Sequence, residues 1–191
     1  MSFARTHHCN ELTLSNVAEQ VKLAGWVNAS RNLGGLYFLD LRDREGITQL
    51  FIDPAEKPEL FAMAREIREE WVIAATGIVK ARPDDMINKN RVTGAVEVEL
   101  EGLEILNRAA AMPFHLEDNE TSEDLRLKYR YLDMRRSNIL PNLRMRHKIA
   151  KVLRDVFDEN DFVEVETPIL SKSTPEGARD YIVPSRIHNG Y

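Results

Sequence analysis

The sequence has few features that would tie it to a disulfide, a metal or a membrane. It contains one cysteine, Cys9, which excludes an intramolecular disulfide and is typical of a reducing compartment. No apolar run reaches membrane-spanning length, and the first residues lack the apolar stretch of a secretory signal. His7, His8 and Cys9 are adjacent donors without a spaced fourth, which favours a solvated arm over a zinc site. We therefore predict a cytoplasmic protein with no metal site and no membrane partner.

Acidic residues outnumber basic ones overall, but the basic residues are concentrated in one stretch. The net charge of −5 argues against a general nucleic-acid binder. Between Leu125 and Arg154, however, ten lysines and arginines face a single acid, Asp133. Such a block either neutralises phosphates or pairs with acids elsewhere in the fold, and a solvated helix face is the commoner origin. Charge alone leaves these alternatives open.

Residues 20–107 alternate between apolar and polar side chains with the period of β-strands. The last of these segments is the clearest, because Val96, Val98 and Leu100 alternate with three glutamates. The predicted order is three strands, a helix and two strands, at Gln20–Arg31, Leu36–Arg42, Ile47–Asp53, Pro54–Glu70, Trp71–Arg82 and the segment from Val96. This order is that of an OB-fold, a five-stranded Greek-key barrel.

The C-terminal third changes character. Residues 109–123 are polar and contain Pro113, as expected of a boundary between domains. An amphipathic helix is predicted from about Pro141 to Asn160, followed by a strand over Asp161–Leu170. We therefore predict an α+β protein with a barrel domain at 1–108, a linker at 109–128 and a second domain beginning at 129–191.

Several segments resemble bacterial aspartyl-tRNA synthetases, which are class II aminoacyl-tRNA synthetases. Gly25–Asn28, Phe38–Gly46 and Arg126–Arg136 resemble the barrel and hinge of that family. Asp161–Leu170 resembles motif 1, which class II enzymes use to form a dimer, and Thr174–Arg179 resembles the loop that closes over the amino acid. The resemblance covers nearly the whole chain in the same order and spacing.

The resemblance implies an OB-fold followed by the start of the class II antiparallel-sheet domain. It also implies a homodimeric ligase that uses ATP and Mg²⁺ to join L-aspartate to aspartate tRNA, with asparagine tRNA as a further candidate. Motifs 2 and 3, which carry the ATP-binding arginines, would lie beyond Tyr191. We therefore expect the chain to be a fragment that contains no catalytic residue, keeps anticodon binding and does not aminoacylate on its own.

In the barrel, the resemblance assigns anticodon binding to Arg31, Phe38, Gln49, Arg82 and Glu97. An aromatic ring can stack on a splayed base, an amide offers a donor and an acceptor, and a carboxylate accepts from base amino groups. Without the family, each of the five has an ordinary reading as a core aromatic or a solvent-facing polar residue. Relatives discriminate the third anticodon base at the position of Leu33 and in the loop 83–87.

In the second domain, the resemblance assigns to Glu176 the binding of the substrate's α-ammonium group. The rest of the same loop comprises Thr174, Pro175, Gly177, Ala178, Arg179 and Asp180. Pro168 is the proline of motif 1, at the dimer interface.

Two alternatives remain. The first is a non-catalytic barrel that only binds tRNA, which has no need of motif 1 or the loop. The second is a lysine or asparagine ligase, since these families share the barrel and motif 1; the segment Pro175–Asp180 favours aspartate.

Overall fold

A computed structural model describes residues 4–170, 181, 183–184 and 186–187. It divides into two compact units, Met1–Thr121 and Ser122–Tyr191, which are treated separately below.

The first unit is a closed five-stranded barrel. Its elements are β1 (Gln20–Leu33), β2 (Leu36–Arg42), β3 (Ile47–Ile52), α1 (Pro58–Glu66), β4 (Val72–Ala81) and β5 (Val96–Asn107). The strands follow the order β1-β2-β3-β5-β4, and every neighbouring pair is antiparallel except β3 and β5, which are parallel. The predicted OB-fold is confirmed, although α1 is shorter than predicted.

The inside of the barrel is filled by alternate side chains of each strand. In β5, Val96, Val98 and Leu100 are buried while Glu97 and Glu99 point outward, as the alternation predicted. Leu39 on β2 and Leu50 on β3 are fully buried in the same core. Each such aliphatic side chain contributes roughly 1.5–3 kcal/mol through removal of its surface from water. This core holds the outer face in a fixed geometry.

Three glycines, at two places in the chain, allow the path of the strands. Gly34 and Gly35 have φ of 63° and 85°, which allows the tight turn between β1 and β2. At Gly77 a Cβ atom would lie 2.2 Å from the carbonyl oxygen of Glu99, so only glycine permits this approach of β4 to β5. A register shift between Thr76 and Gly77 accompanies it.

The prediction of a solvated N-terminal arm is wrong. Cys9 and Leu12 have no exposed surface and belong to the barrel core. The backbone of Thr6 donates to Lys22 on β1, and Asp43 accepts from the backbone N–H of Cys9 at 3.1 Å. Burial raises the pKa of the Cys9 thiol to about 12, so this side chain acts as a small apolar group. Within the described residues, no group of three or more His, Cys, Asp or Glu side chains is placed to hold a metal ion.

The segment after β5 is not uniformly solvated. The indole N–H of Trp71 donates to the carbonyl of Ala109 at 3.0 Å. Phe114 and Leu116 are buried. The boundary between the compact units follows shortly afterwards, between Thr121 and Ser122.

The second unit contains α2 (Glu123–Lys128), α3 (Arg130–Asp133) and α4 (Leu140–Asp158). Asp133 is buried and lies 3.6 Å from Arg126, 2.5 Å from Arg130 and 3.6 Å from Arg136. Three cations of the basic block therefore pair with the one acid inside it. In α4 no residue is buried, and its apolar side chains are about half exposed.

The predicted strand over Asp161–Leu170 is wrong, because these residues form no regular secondary structure. Phe162 instead packs edge-on against Phe157 of α4, with 5.5 Å between ring centroids. A strand needs a neighbour to pair its N–H and C=O groups, and the described residues form no sheet other than the barrel. None of the described helices has the length and apolar content to cross a membrane.

Candidate nucleic-acid interface

The outward side chains of four strands meet on one side of the barrel. Strand register places Arg31 of β1 opposite Phe38 of β2, and Phe38 opposite Phe51 of β3. The next outward pair along these strands is Asp40 and Gln49. β5 adds Glu97 through its contact with β3, so residues from distant parts of the chain lie side by side. We call this surface the outer face.

Phe38 lies on the outer face and not in the core. Its strand neighbours Tyr37 and Leu39 are buried, whereas Phe38 is half-buried. Sequence period alone did not decide this, since all of Leu36–Leu41 except Asp40 is apolar. The ring is supported by cross-strand neighbours on both sides and keeps enough exposed surface to meet a base.

Gln49 and Glu97 form a fixed hydrogen-bonded chain with the nearby arginines. The Gln49 amide donates through Nε2 to Glu97 Oε2 at 3.0 Å and accepts through Oε1 from Arg31 Nη2 at 3.5 Å. Arg82 Nε lies 3.4 Å from the same Glu97 oxygen, and its guanidinium is nearly buried. Within the described residues, Glu97 Oε1 receives no hydrogen bond, so one carboxylate oxygen remains available to a ligand.

Burial shapes the ionisation of this group. Desolvation raises the pKa of Glu97, against the lowering effects of Arg82 and of the hydrogen bond from Gln49. Desolvation also lowers the pKa of Arg82, although an arginine stays protonated at any ordinary pH. A partly desolvated carboxylate strengthens its hydrogen bonds to whatever donor reaches it.

Two residues of the outer face were missed by sequence reasoning. Asp40, with 1% of its side chain exposed, accepts from Arg31 Nη2 at 3.0 Å and from both Nη atoms of Arg91 at 2.8 and 2.7 Å. Arg91 comes from the loop between β4 and β5, 51 residues further along the chain. The only signal for Asp40 was a charged residue at an outward position of a largely apolar strand, and nothing pointed to Arg91.

A second charged cluster lies beside the first on the same face. Glu99 is 2.9 Å from Lys57 and 3.2 Å from Lys80. The hydrogen bond from Lys57 lowers the pKa of Glu99, with Lys80 adding to the effect. The pKa values of Glu97 and Glu99, two residues apart on one strand, are therefore shifted in opposite directions from the ordinary glutamate value.

The remaining sequence predictions lie at the edge of this face or away from it. Leu33 is 69% exposed at the end of β1, and in the predicted loop 83–87 Met86 is 65% and Ile87 37% exposed. Pro168 is exposed and outside regular secondary structure. The loop residues Thr174, Pro175, Glu176, Gly177, Ala178, Arg179 and Asp180 lie outside the described residues.

Two family models match the chain. Residues 21–106 match an OB-fold nucleic acid binding domain, and residues 122–191 match class II tRNA synthetases of the D, K and N group. The second match covers the helical unit, and the first coincides with the barrel.

Individual proteins are similar over most of the chain. An aspartate–tRNA(Asp/Asn) ligase from Chlamydia trachomatis serovar L2 is 54% identical over 97% of this chain and 32% of its own length. The asparaginyl-tRNA synthetase of Pyrococcus horikoshii has a TM-score of 0.71 at 26% identity, over 89% of this chain and 39% of that one. An aspartyl-tRNA synthetase from Entamoeba histolytica has a TM-score of 0.79 at 22% identity, over 88% of this chain and 40% of that one, and shows the fold alone.

The chain spans about a third of the length of the curated relatives that it matches. Those relatives are 50–54% identical to it, and the two family models match its two compact units in turn. The barrel matches OB-fold nucleic acid binding domains, the helical unit matches class II tRNA synthetases of the D, K and N group, and over nearly its whole length the chain is similar to aspartate–tRNA ligases.

Proposed function

We propose that this chain is the anticodon-reading part of an aspartate–tRNA ligase. The observation that carries the proposal is the outer face, on which a half-buried aromatic ring lies near an amide and a carboxylate already held in place. Single-stranded RNA is recognised by stacking bases on aromatic rings and by hydrogen bonds to base edges. This face offers both within one small area.

Each side chain has a role that its geometry supports. Phe38 stacks on one anticodon base, a contact worth about 1–3 kcal/mol. Glu97, through its free Oε1, accepts a hydrogen bond from a base amino or imino group. Gln49 exchanges its contact with Arg31 or Glu97 for a base edge, and Arg82 favours the ionised form of Glu97 against the effect of burial. Leu33, exposed at the end of β1, contacts the third anticodon base.

Charge on the outer face supports reading of bases over general attachment to phosphates. Arg31, Arg82 and Arg91 each lie within 4 Å of a carboxylate, from Asp40 or Glu97. Arginines that already have partners gain less from a phosphate than free ones do. Affinity for the wrong RNA is thereby kept low, so that contacts with the bases determine which RNA binds.

For the whole protein we propose activation of L-aspartate by ATP to aspartyl-adenylate, followed by transfer to the terminal ribose of aspartate tRNA. ATP use follows from the class II family. Mg²⁺ would neutralise charge on the phosphates, but the described residues form no cluster suited to a metal ion and none is assigned to it. Glu176 is proposed to bind the α-ammonium of aspartate, and the other loop residues to close over it. Aspartate-dependent exchange between ATP and pyrophosphate by the full-length protein tests this; exchange with lysine or asparagine instead would overturn it.

We also propose that the whole protein is a homodimer formed partly through the segment around Pro168. The support is the likeness to motif 1 and the apolar side chains of α4, among them Leu153 at 54% exposure. Sedimentation of the full-length protein tests this proposal. A monomer at micromolar concentration contradicts it.

A barrel that only binds tRNA is the second candidate. The match of residues 122–191 to class II synthetases disfavours it, because a pure binding module has no use for a catalytic domain. Asparagine tRNA remains a candidate partner alongside aspartate tRNA, since relatives at 50–54% identity are described as tRNA(Asp/Asn) ligases.

The experiment is binding of the chain to the anticodon stem-loop of aspartate tRNA and to copies altered at each anticodon base. Phe38→Ala removes the ring and is expected to weaken binding of the matched RNA by about tenfold or more. Phe38→Tyr keeps the ring and serves as the matched control, with binding close to that of the wild type. Thermal unfolding of both variants shows whether the barrel remains folded.

Equal binding of all the stem-loops by the wild-type chain would contradict anticodon reading. So would a folded Phe38→Ala variant that binds the matched RNA as tightly as the wild type does. Matched binding to both aspartate and asparagine anticodons would extend the proposal to the second tRNA.

A further inference from the structure

We propose that Asp40 and Arg91 are positioning residues that hold Arg31 in the orientation for base recognition and keep it off phosphates. This inference rests on the anticodon-reading function proposed above and assigns roles to two residues that sequence reasoning did not select. We call the pair of Asp40 and Arg91 the clamp.

Asp40 is the most buried charged group of the outer face. It has 1% of its side chain exposed, against 47% for Arg31 and 22% for Arg91. Its Oδ1 accepts from both arginines, at 3.0 Å from Arg31 and 2.8 Å from Arg91, while Oδ2 accepts from Arg91 at 2.7 Å. A buried carboxylate is stable only with such partners. The bidentate contact with Arg91 supplies most of them and fixes the plane of the carboxylate.

Arg91 itself sits on a loop that cannot easily move. Three backbone hydrogen bonds close this loop: Arg91 N–H donates to the carbonyl of Asn88 at 3.2 Å, Gly94 N–H to that of Arg91 at 3.1 Å, and Asn88 N–H to that of Gly94 at 3.1 Å. Thr93 Oγ1 also donates to the carbonyl of Ile47 on β3 at 2.9 Å. Thr93 is 2% exposed. At Gly94 a Cβ atom would lie 1.8 Å from the carbonyl oxygen of Asn88, so this closed loop admits only glycine there. The loop therefore presents Arg91 to Asp40 in one position.

The consequence falls on Arg31, the more exposed arginine. The Nη2 atom of Arg31 donates both to Asp40 Oδ1 at 3.0 Å and to Gln49 Oε1 at 3.5 Å. These two contacts orient the guanidinium of Arg31 and the amide of Gln49. The clamp thus sets the direction of two proposed base contacts without touching RNA itself. Without the Asp40 charge, Arg31 and Arg91 become free cations on an exposed face, and free arginines seek phosphates.

The test compares Asp40→Asn and Arg91→Met with the wild-type chain. Each is titrated with the matched anticodon stem-loop and with base-altered copies, from about 50 to about 200 mM salt. We expect the preference for the matched RNA to fall about tenfold in both variants. In Asp40→Asn the salt dependence also steepens, by roughly 0.7 in the logarithmic slope for each arginine that gains a phosphate.

Two controls separate positioning from charge and from folding. Glu99→Gln removes a negative charge from the same face, as Asp40→Asn does, but at a position beside Lys57 and Lys80. It is expected to keep the preference for the matched RNA. Arg91→Lys keeps the charge but not the two parallel N–H donors, and is expected to keep the wild-type salt dependence but only part of the preference for the matched RNA. Thermal unfolding identifies any variant that fails to fold, and Arg91→Met, at a more exposed position, then carries the test.

The outcomes distinguish the two proposals. A wild-type chain without preference for any anticodon overturns both. If the wild type discriminates and the folded clamp variants discriminate equally well, the clamp proposal is wrong and anticodon reading stands. An equal loss in Glu99→Gln also overturns the clamp, because net charge alone then explains the effect.

Discussion

The barrel buries its apolar side chains, whereas the helical unit leaves those of α4 about half exposed. Leu50 in the barrel has no exposed surface, whereas Leu153 on α4 is 54% exposed although both belong to clear apolar patterns. The barrel closes on itself, so each strand finds a neighbour and its inward side chains find a core. The described residues of the helical unit supply no such cover for α4.

This difference locates the proposed recognition surface on the more rigid of the two units. A closed barrel holds its outer face rigidly from within, and the hydrogen-bonded chain from Arg31 through Gln49 to Glu97 depends on that rigidity. In the helical unit, the apolar side chains of α4 stay partly exposed, because the described residues provide no surface that covers them. Substitutions in the two units should therefore differ in their effect on the free energy of unfolding.

The largest difference is expected in the core. Leu50→Ala should lower the free energy of unfolding by about 2–5 kcal/mol, because it leaves a cavity in a closed core. Leu153→Ala should change it by about 0.5 kcal/mol or less, since the side chain is half exposed and alanine favours helix. Urea unfolding followed by tryptophan fluorescence reports on the barrel, which contains both Trp26 and Trp71. Circular dichroism follows the helices in the same samples. A destabilisation by Leu153→Ala equal to that by Leu50→Ala would contradict the contrast.

A smaller effect is expected in the pH dependence of barrel stability. Burial raises the pKa of Glu97 above the ordinary 4.5, so its favourable contribution is present below that value and is lost as pH rises through the raised pKa. Lys57 lowers the pKa of Glu99, so that residue contributes above 4.5 and loses its contribution as pH falls through the lowered pKa. Relative to wild type, Glu97→Gln should therefore gain stability as pH rises just above 4.5. Glu99→Gln should lose stability as pH rises from below 4.5.

Urea unfolding of the three proteins at closely spaced pH values around the ordinary glutamate pKa measures this. Both variants replace a carboxyl with an amide on the same strand, so each is a control for the other. The same sign of pH dependence in both variants would show that the two carboxylates do not have opposite environments.

The smallest effect is expected at the ion pair of the helical unit. Arg154 and Glu164 lie 2.9 Å apart, but each is about two-thirds exposed. Water and salt screen such a pair, so Glu164→Gln should leave the unfolding transition unchanged. In the barrel, Glu70→Gln weakens the contact of a nearly buried carboxylate with Arg42 and should lower the unfolding midpoint. A shift by Glu164→Gln as large as that by Glu70→Gln would contradict this prediction.

The parts of the fold that sequence predicted are those governed by local pattern. The alternation in β5 and the glycine turn after β1 were both sufficient to locate their strands. The helix α1 was predicted too long, since it begins with Pro58 as its first residue and ends where Ile67 turns to extended backbone. The solvated arm was wrong because the burial of Cys9 depends on a strand formed by other residues.

The candidate site was only partly within reach of the sequence. Arg31, Phe38, Gln49, Arg82 and Glu97 were selected by resemblance, and their roles remain predictions. The structure brings four of them into one network and puts Phe38 next to Arg31 in the strand register. Asp40 and Arg91 were missed because their contact joins a strand to a loop 51 residues away, which no periodicity records.

The sequence by itself determined the order of strands and helix in the barrel, the resemblance to aspartyl-tRNA synthetases and the residue types available for recognition. Each of these depends on spacing along the chain, which hydrophobic period and motif order express directly. Only the tertiary structure decided which way Phe38 faces, which acid neutralises which arginine, and that Cys9 belongs to the core. The reason is physical: burial and charge pairing depend on neighbours across the barrel, and those neighbours are set when the strands close on one another.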